Sequence, residues 1–454
     1  MMQAIYDTIE ARLPQAIALL ERLCAQPSIS AEGRGVNEMA DLLLTVLAER
    51  GIEGRALDTG GGPPVVYAEI PGRSGPTVLL YNHYDVQPVD PLEQWESPPF
   101  EPSQREGKLY ARGVSDNKGD LVARLEAIAA FQAVRGELPV TVKLLWEGEE
   151  ESGSPHFPAF VERHADLLAA DVCLSEGSHP DRAGRPRLIL GVKGLLYVEV
   201  EAHAARIDAH SQYAPVVPSA AWKLVQALNT LRDATGRVLI AGFYDDVRPL
   251  TEGERAAIAA LPEASGEVKE ALGLASFLDG LEGTEWWVRL LDSPTANLCG
   301  VLTGYTGPGP KTVLPCTARA KMDFRLIPNQ RPEDILEKLR RHLQQHGFGD
   351  LQVTCLGAEA PQRTPLDDPF VARAARAARE FYGTEPLLVP SVAGTAPMAP
   401  LAETLHLPVL FAPGGTGYEG SQIHAPNEHI RLSDLAPAIQ VTALLLERLG
   451  SPAG

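Results

Sequence analysis

The sequence predicts an α/β protein interrupted by a smaller α+β layer, and three observations carry that expectation. Residues 1–187 alternate helical and apolar-strand signals, the pattern turns to longer alternating strands near residue 187, and the first pattern resumes after about residue 365. Expected boundaries are therefore 1–187 and 364–454 for one domain in two parts, with 188–363 inserted between them. Length agrees, because 454 residues exceed the roughly 250–300 at which single hydrophobic cores stop growing. Hydrophobic residues make up 44% of the chain, enough to fill more than one core.

Element by element, helical periodicity covers 3–24 and 36–51, and short apolar runs follow at 64–70, 77–82, 140–146 and 171–175. A helix over 118–135 separates the second run from the third. The segment 188–205, LILGVKGLLYVEVEAHAA, alternates as a half-buried strand does, and a helix is expected over 217–233. Residues 241–296 hold acidic helical stretches and the adjacent Trp286 and Trp287, but no motif that assigns them a role. Beyond them, 311–328 reads as a strand, 332–347 as an amphipathic helix stopped by Gly347, and 351–357 as another strand. The run 407–417 reads as a strand entering a glycine-rich loop that leads to His424.

Charge and cysteine content narrow the function classes. With 59 acidic against 40 basic residues the formal charge is −19, which repels nucleic acid and anionic membrane and leaves small molecules or peptides as partners. The five cysteines form no Cys-x-x-Cys pair, so neither a disulfide framework nor a thiolate zinc site is expected, and a reducing cytoplasm fits. Asp7, Glu10 and Arg12 interleave with the apolar residues of the first segment, which reads as an amphipathic helix instead of a signal peptide. No run approaches the roughly 20 apolar residues of a membrane span.

Chemistry concentrates where the apolar runs end. TVLLYNHYDVQP delivers His83 and Asp85, LYARGVSDNKGDL delivers Asp116 on a Gly-flanked turn, and VTVKLLWEGEE closes on Glu150 and Glu151. Open α/β sheets place their sites at the carboxyl ends of strands. Imidazole and carboxylate donors suit zinc and its first-row neighbours, and a base-like glutamate beside a ligand glutamate is what metal-assisted hydrolysis needs. Taken alone, an Asp-Asn pair defaults to an Asx-turn and a Glu-Glu pair to a solvated helix face.

Seven strings in order, YNHYDVQP, ARGVSDNKG, EGEEESGS, LSEG, DAHS, the strand ending in FRLIP, and GSQIHAPNE, resemble the M20 family of metallopeptidases and amidohydrolases, most of all its carnosinase-like dipeptidase branch. The resemblance implies a zinc-peptidase-like catalytic domain with a central mixed sheet, formed by 1–187 and 364–454, and a lid at 188–363 that makes a homodimer. It implies two divalent ions per subunit, zinc or alternatively cobalt or manganese. His83 and Glu176 would hold one, Glu151 and His424 the other, with Asp116 between them, Asp85 fixing the His83 tautomer and Glu150 acting as general base to a metal-activated water. Many family members carry aspartate where this chain has Glu176. His179 competes for that place on composition, as His429 does with His424, but both fall outside the family pattern. For the substrate, Arg325 resembles a clamp on the terminal carboxylate and His210 a lid histidine that serves the other subunit's site. Thr312, Gly394 and Thr395 are further contacts at the same end. The activity so implied is cleavage of dipeptides or small peptides with a free C-terminal carboxylate. The alternatives are an N-acyl-amino-acid deacylase of acetylornithine or succinyl-diaminopimelate type, and a metal-binding homologue without turnover.

Overall fold

The computed structural model describes residues 2–73 and 75–451. They form two compact units: 1–191, 363–390 and 397–454 make the first, and 192–362 with 391–396 make the second.

A six-stranded sheet organises the first unit, in the order Gly54–Leu57, Val65–Ile70, Thr141–Glu147, Thr77–His83, Val172–Leu174, Val409–Leu410. It is mixed. Thr77–His83 runs parallel to Thr141–Glu147 and to Val172–Leu174, whereas Val65–Ile70 meets its two neighbours antiparallel. The two central strands are buried along all but their first residues, as expected where both faces of a sheet are covered. Helices Met2–Ala25, Lys118–Arg135 and Leu432–Leu449 pack on one another beside it, joining Val78, Leu80, Leu144 and Trp146 of the sheet in one core. Burying such side chains stabilises by about 1.5–3 kcal/mol each.

The second unit is built on a four-stranded sheet, ordered Thr295–Thr303, Thr317–Leu326, Gly194–His203, Gln352–Glu359, in which every pairing is antiparallel. Strict alternation of burial along Gly194–His203 shows why: one face packs Leu196, Val198 and Val200 against helices Ala220–Asn229 and Pro332–Gln345. The segment without a sequence motif contributes three short helices, Glu252–Ala259, Ser265–Ala271 and Gly283–Asp292. The first is started by a reciprocal capping box between Thr251 and Glu254.

Several expected elements are shorter than their sequence pattern. The run at 188–205 breaks into Arg187–Ile189, Gly191–Val192 and Gly194–His203. Pro315 interrupts 311–328, leaving Val313–Leu314 and Thr317–Leu326, since proline cannot donate to a ladder. The run at 407–417 joins the six-stranded sheet at Val409–Leu410 and continues only as isolated bridges, Phe411 to Ile189 and Pro413 to Ser178. Among the described residues, no helix is long and apolar enough to cross a membrane.

Candidate metal centre

Strand ends bring the candidate ligands of the first unit together. His83 is the last residue of Thr77–His83, where the chain leaves the sheet and Tyr84 N–H donates to the Glu147 carbonyl. Its Nε2 lies 3.0 Å from Asp116 Oδ1 and 3.7 Å from Glu176 Oε1. Asp116 Oδ2 lies 3.1 Å from His424 Nε2, and the same nitrogen is 3.1 Å from Glu151 Oε2. One carboxylate thus stands between two imidazoles, presenting a different oxygen to each.

Some of these candidates are held from behind. Asp85 faces His83 Nδ1 at 3.4 Å with Oδ1, and the same carboxylate accepts the N–H groups of Glu150 at 3.1 Å and Glu151 at 3.0 Å. It therefore pins the turn carrying both glutamates, while His83 Nδ1 has its hydrogen bond with the Asp85 backbone carbonyl at 3.1 Å. Gln87 Nε2 donates to Glu151 Oε2 at 2.7 Å. No hydrogen bond engages the Glu150 carboxylate among the described residues. His424 sits at φ 61°, in a loop where Gln422 and Asn427 also have positive φ. Such conformations cost of order 1–3 kcal/mol and persist where surrounding structure enforces them.

Electrostatics point the same way. Burial opposes charge on His83, yet its hydrogen bonds to Asp116 and Asp85 carry its pKa well above the ordinary value. Hydrogen bonds to Asp116 and Glu151 raise His424 to about 10. Asp116 is held well below the usual carboxylate range: burial works against it, and the two imidazoles win. Burial pushes Glu176 up to about 7 and Glu150 well above its ordinary value. The crowded carboxylates favour positive charge on both imidazoles, as they would favour a cation in their place.

The donor set fits a metal. His83, Asp116 and Glu151 each offer one ligand atom, all within 4.8 Å of one another. Glu176 Oε1 is out of contact with solvent and has no hydrogen-bond partner, an expensive arrangement for a carboxylate without a cation.

Sequence reading gave no role to Glu428 and Asp120. Glu428 is buried and accepts four hydrogen bonds, from Arg112 Nη1, Gly113 N, Ser115 N and Asp116 N, at 2.8–3.0 Å. Asp120 accepts from Gly177 N and from both the N–H and hydroxyl of Thr416. Both lie inside strings that sequence reading did single out, and only the fold reveals that they tie distant loops to the Asp116 turn. His179 is engaged by Arg187 at 2.9 Å, and His429 by the Tyr418 hydroxyl at 2.6 Å.

The remaining candidates belong to the second unit. Arg325 donates through Nη1 to Thr395 Oγ1 at 2.7 Å and lies 3.7 Å from Asp323. Gly394 gives its carbonyl to Lys193 N–H at 2.8 Å. The exposed His210 pairs with Val313 in a two-residue ladder, and Ser211 N–H donates to the Thr312 carbonyl at 3.2 Å.

A mixed α/β unit whose strand ends gather imidazoles and carboxylates around a shared aspartate defines a metal-dependent hydrolase. The chain belongs to peptidase family M20/M25/M40, whose sequence model matches residues 79–448. An M20 family metallo-carboxypeptidase from Sulfolobus solfataricus superposes with a TM-score of 0.91 at 42% identity, over 96% of this chain and 99% of its own. The di-peptidase Dug1p from Saccharomyces cerevisiae gives a TM-score of 0.85 at 25% identity, over 100% of this chain and 99% of its own. Beta-Ala-His dipeptidase of Homo sapiens is 31% identical over 381 residues, 81% of this chain and 74% of its own. The resemblance to the dipeptidase branch read from the seven motif strings is thereby shown.

Proposed function

We propose that this enzyme hydrolyses the amide bond of dipeptides or small peptides that carry a free C-terminal carboxylate, at a centre of two divalent ions. The observation that carries the reading is Asp116, which offers one oxygen to His83, whose Nε2 also lies 3.7 Å from Glu176, and the other to His424, whose Nε2 also lies 3.1 Å from Glu151. Zinc is the ion this donor set suits, with cobalt and manganese as substitutes. When bound, such ions polarise a scissile carbonyl and lower the pKa of water to about 7.

The chain's own residues do the rest. Glu150, whose backbone Asp85 fixes and whose carboxylate no hydrogen bond ties, takes the proton of the attacking water and returns it to the leaving nitrogen. Asp85, facing His83 Nδ1 with its carboxylate and its carbonyl, would keep His83 in the tautomer whose Nε2 is available to hold a metal. Arg325 reads the terminal carboxylate through its planar fork, beside Thr395 and Gly394, and His210 and Thr312 are further contacts. Homodimerisation through the second unit is supported by exposed apolar side chains on its edge strand and neighbouring helix, Leu298, Val301, Leu302, Trp222 and Val225.

A second reading, a carboxypeptidase acting on longer peptides, is favoured by the 42% identical Sulfolobus enzyme described as a metallo-carboxypeptidase. One experiment separates the readings. Chelated protein is reloaded with zinc, cobalt or manganese and assayed on dipeptides, longer peptides and N-acyl amino acids. Cleavage of dipeptides above all others supports the proposal. Faster cleavage of longer peptides selects the carboxypeptidase, and preference for N-acyl amino acids selects a deacylase. Full activity in exhaustively chelated protein, with metal absent by elemental analysis, removes the metal centre from the mechanism.

A further inference from the structure

The second unit holds a cavity of about 870 Å³ lined wholly by its own residues. Arg325 and Ala393 stand in its wall, and Ala393 directly precedes Gly394 and Thr395, so the cavity adjoins the proposed clamp on the substrate's carboxylate. Much of the remaining wall comes from the segment for which the sequence suggested no role. Phe277, Trp286 and Leu290 supply apolar surface there, with the Phe277 and Trp286 rings 5.6 Å apart.

Its charges are one-sided. Five cationic side chains, Lys193, Arg232, Arg237, Arg289 and Arg325, face the cavity against two carboxylates, Asp279 and Asp323. Both carboxylates are already engaged, Asp279 by Arg289 at 3.4 Å and Asp323 by Arg325 at 3.7 Å. Arg232 and Arg237 pair with no carboxylate among the described residues, and the Arg237 guanidinium instead lies 4.8 Å from the Tyr244 ring centre.

We propose that this cavity receives the side chain of the substrate's C-terminal residue and selects it by charge, favouring a carboxylate side chain over an ammonium one. The inference rests on the reading of Arg325 as the α-carboxylate clamp. Volume argues for charge as the selector. A space of about 870 Å³ matches sites for whole small ligands, roughly 300–1,000 Å³. No single side chain fills it, so its walls cannot discriminate by size. A concave wall with surplus cations focuses positive potential, which draws in a carboxylate and repels an ammonium group. Guanidinium forks suit a carboxylate, and the apolar surface takes its methylene stem.

The test compares kcat/KM for three dipeptides that share an N-terminal residue and end in Glu, Gln or Lys. It uses the metal-loaded wild type, Arg232→Glu/Arg237→Glu and the milder Arg232→Gln/Arg237→Gln. Both arginines are exposed, and a melting curve on each variant checks its folding. Expected is a wild-type ranking of Glu above Gln above Lys, at least tenfold between extremes at low salt and narrowing as ionic strength rises. The Glu-to-Lys ratio should fall at least tenfold in the double Glu variant and by less in the double Gln variant. The Glu dipeptide with an amidated C-terminus is assayed alongside. Equal cleavage of amide and acid defeats the clamp reading and this inference with it. A poor amide substrate, combined with a Glu-to-Lys ratio near one or one unchanged in both variants, leaves the clamp standing and overturns the cavity's role alone.

Discussion

Glu428 holds Asp116 from behind: its Oε1 accepts the Asp116 N–H at 3.0 Å while its Oε2 accepts Arg112 Nη1 at 2.8 Å. A buried carboxylate on the His424 loop thus sets the turn that presents the aspartate lying between the two imidazoles. Burial raises the Glu428 carboxyl above its ordinary value, and its four donors oppose that by favouring the ionised form.

Glu428→Gln should therefore weaken the centre without touching a ligand. An amide turns an NH2 toward N–H donors that now meet an oxygen, and leaves Arg112 buried without its counter-charge. Removing one partner of a buried ion pair costs roughly 3–5 kcal/mol. Denaturant melts should show a loss of that order, and zinc titration should show weaker binding. Unchanged metal affinity in a folded variant would restrict Glu428 to a purely structural part.

Glu150→Gln separates base from ligand. The amide keeps the shape but cannot accept the proton of water, so hydrolysis should drop by about 10²–10⁴ while elemental analysis still finds metal near the wild-type level. Asp116→Ala, by contrast, should lose both metal and activity. If Glu150→Gln sheds metal as Asp116→Ala does, Glu150 is a ligand and the base must be sought elsewhere.

What the sequence revealed and what it hid follow from how each feature is encoded. The strand-end positions of His83 and Glu151, and the amphipathic helix at Pro332–Gln345, were legible because apolar periodicity is local. The bonds from Glu428 to the Asp116 turn, and from Asp120 to Thr416, span about 300 residues, and no local pattern records such a tie. The break at Pro315 is hidden because the strand-like pattern of 311–328 continues past the point where the proline ends the ladder. The cavity beside Arg325 was invisible for a related reason: its walls come from short helices whose sequence carries no motif.

A pH dependence should trace to Glu147, buried at the end of Thr141–Glu147, with Oε2 accepting the Tyr81 hydroxyl at 2.7 Å. Burial pushes its pKa up to about 8, from 4.5. The folded protein keeps this proton where the unfolded chain has lost it. The associated stability is fully present below 4.5 and is lost as pH rises from there through about 8. Its size is roughly a few kcal/mol. Urea melts of metal-free protein should show this decline, and Glu147→Gln, neutral at every pH, should flatten it. A variant as steep as wild type across that window would assign the slope to other groups.

Arg325→Ala tests the substrate class. An ionic, hydrogen-bonded clamp is worth roughly 2–5 kcal/mol when one partner is removed from a desolvated site. The variant should lower kcat/KM by more than tenfold for a good dipeptide and barely alter the value for the same dipeptide amidated at its C-terminus. The two substrates should then converge, because the loss comes from a carboxylate left without its partner. Thr395→Val gives a control, since it removes the hydroxyl that accepts Arg325 Nη1 but keeps the guanidinium charge, and should cost less. Equal proportional losses on acid and amide in Arg325→Ala would mean that Arg325 supports the second unit's structure, with Asp323 and Thr395 as its working partners.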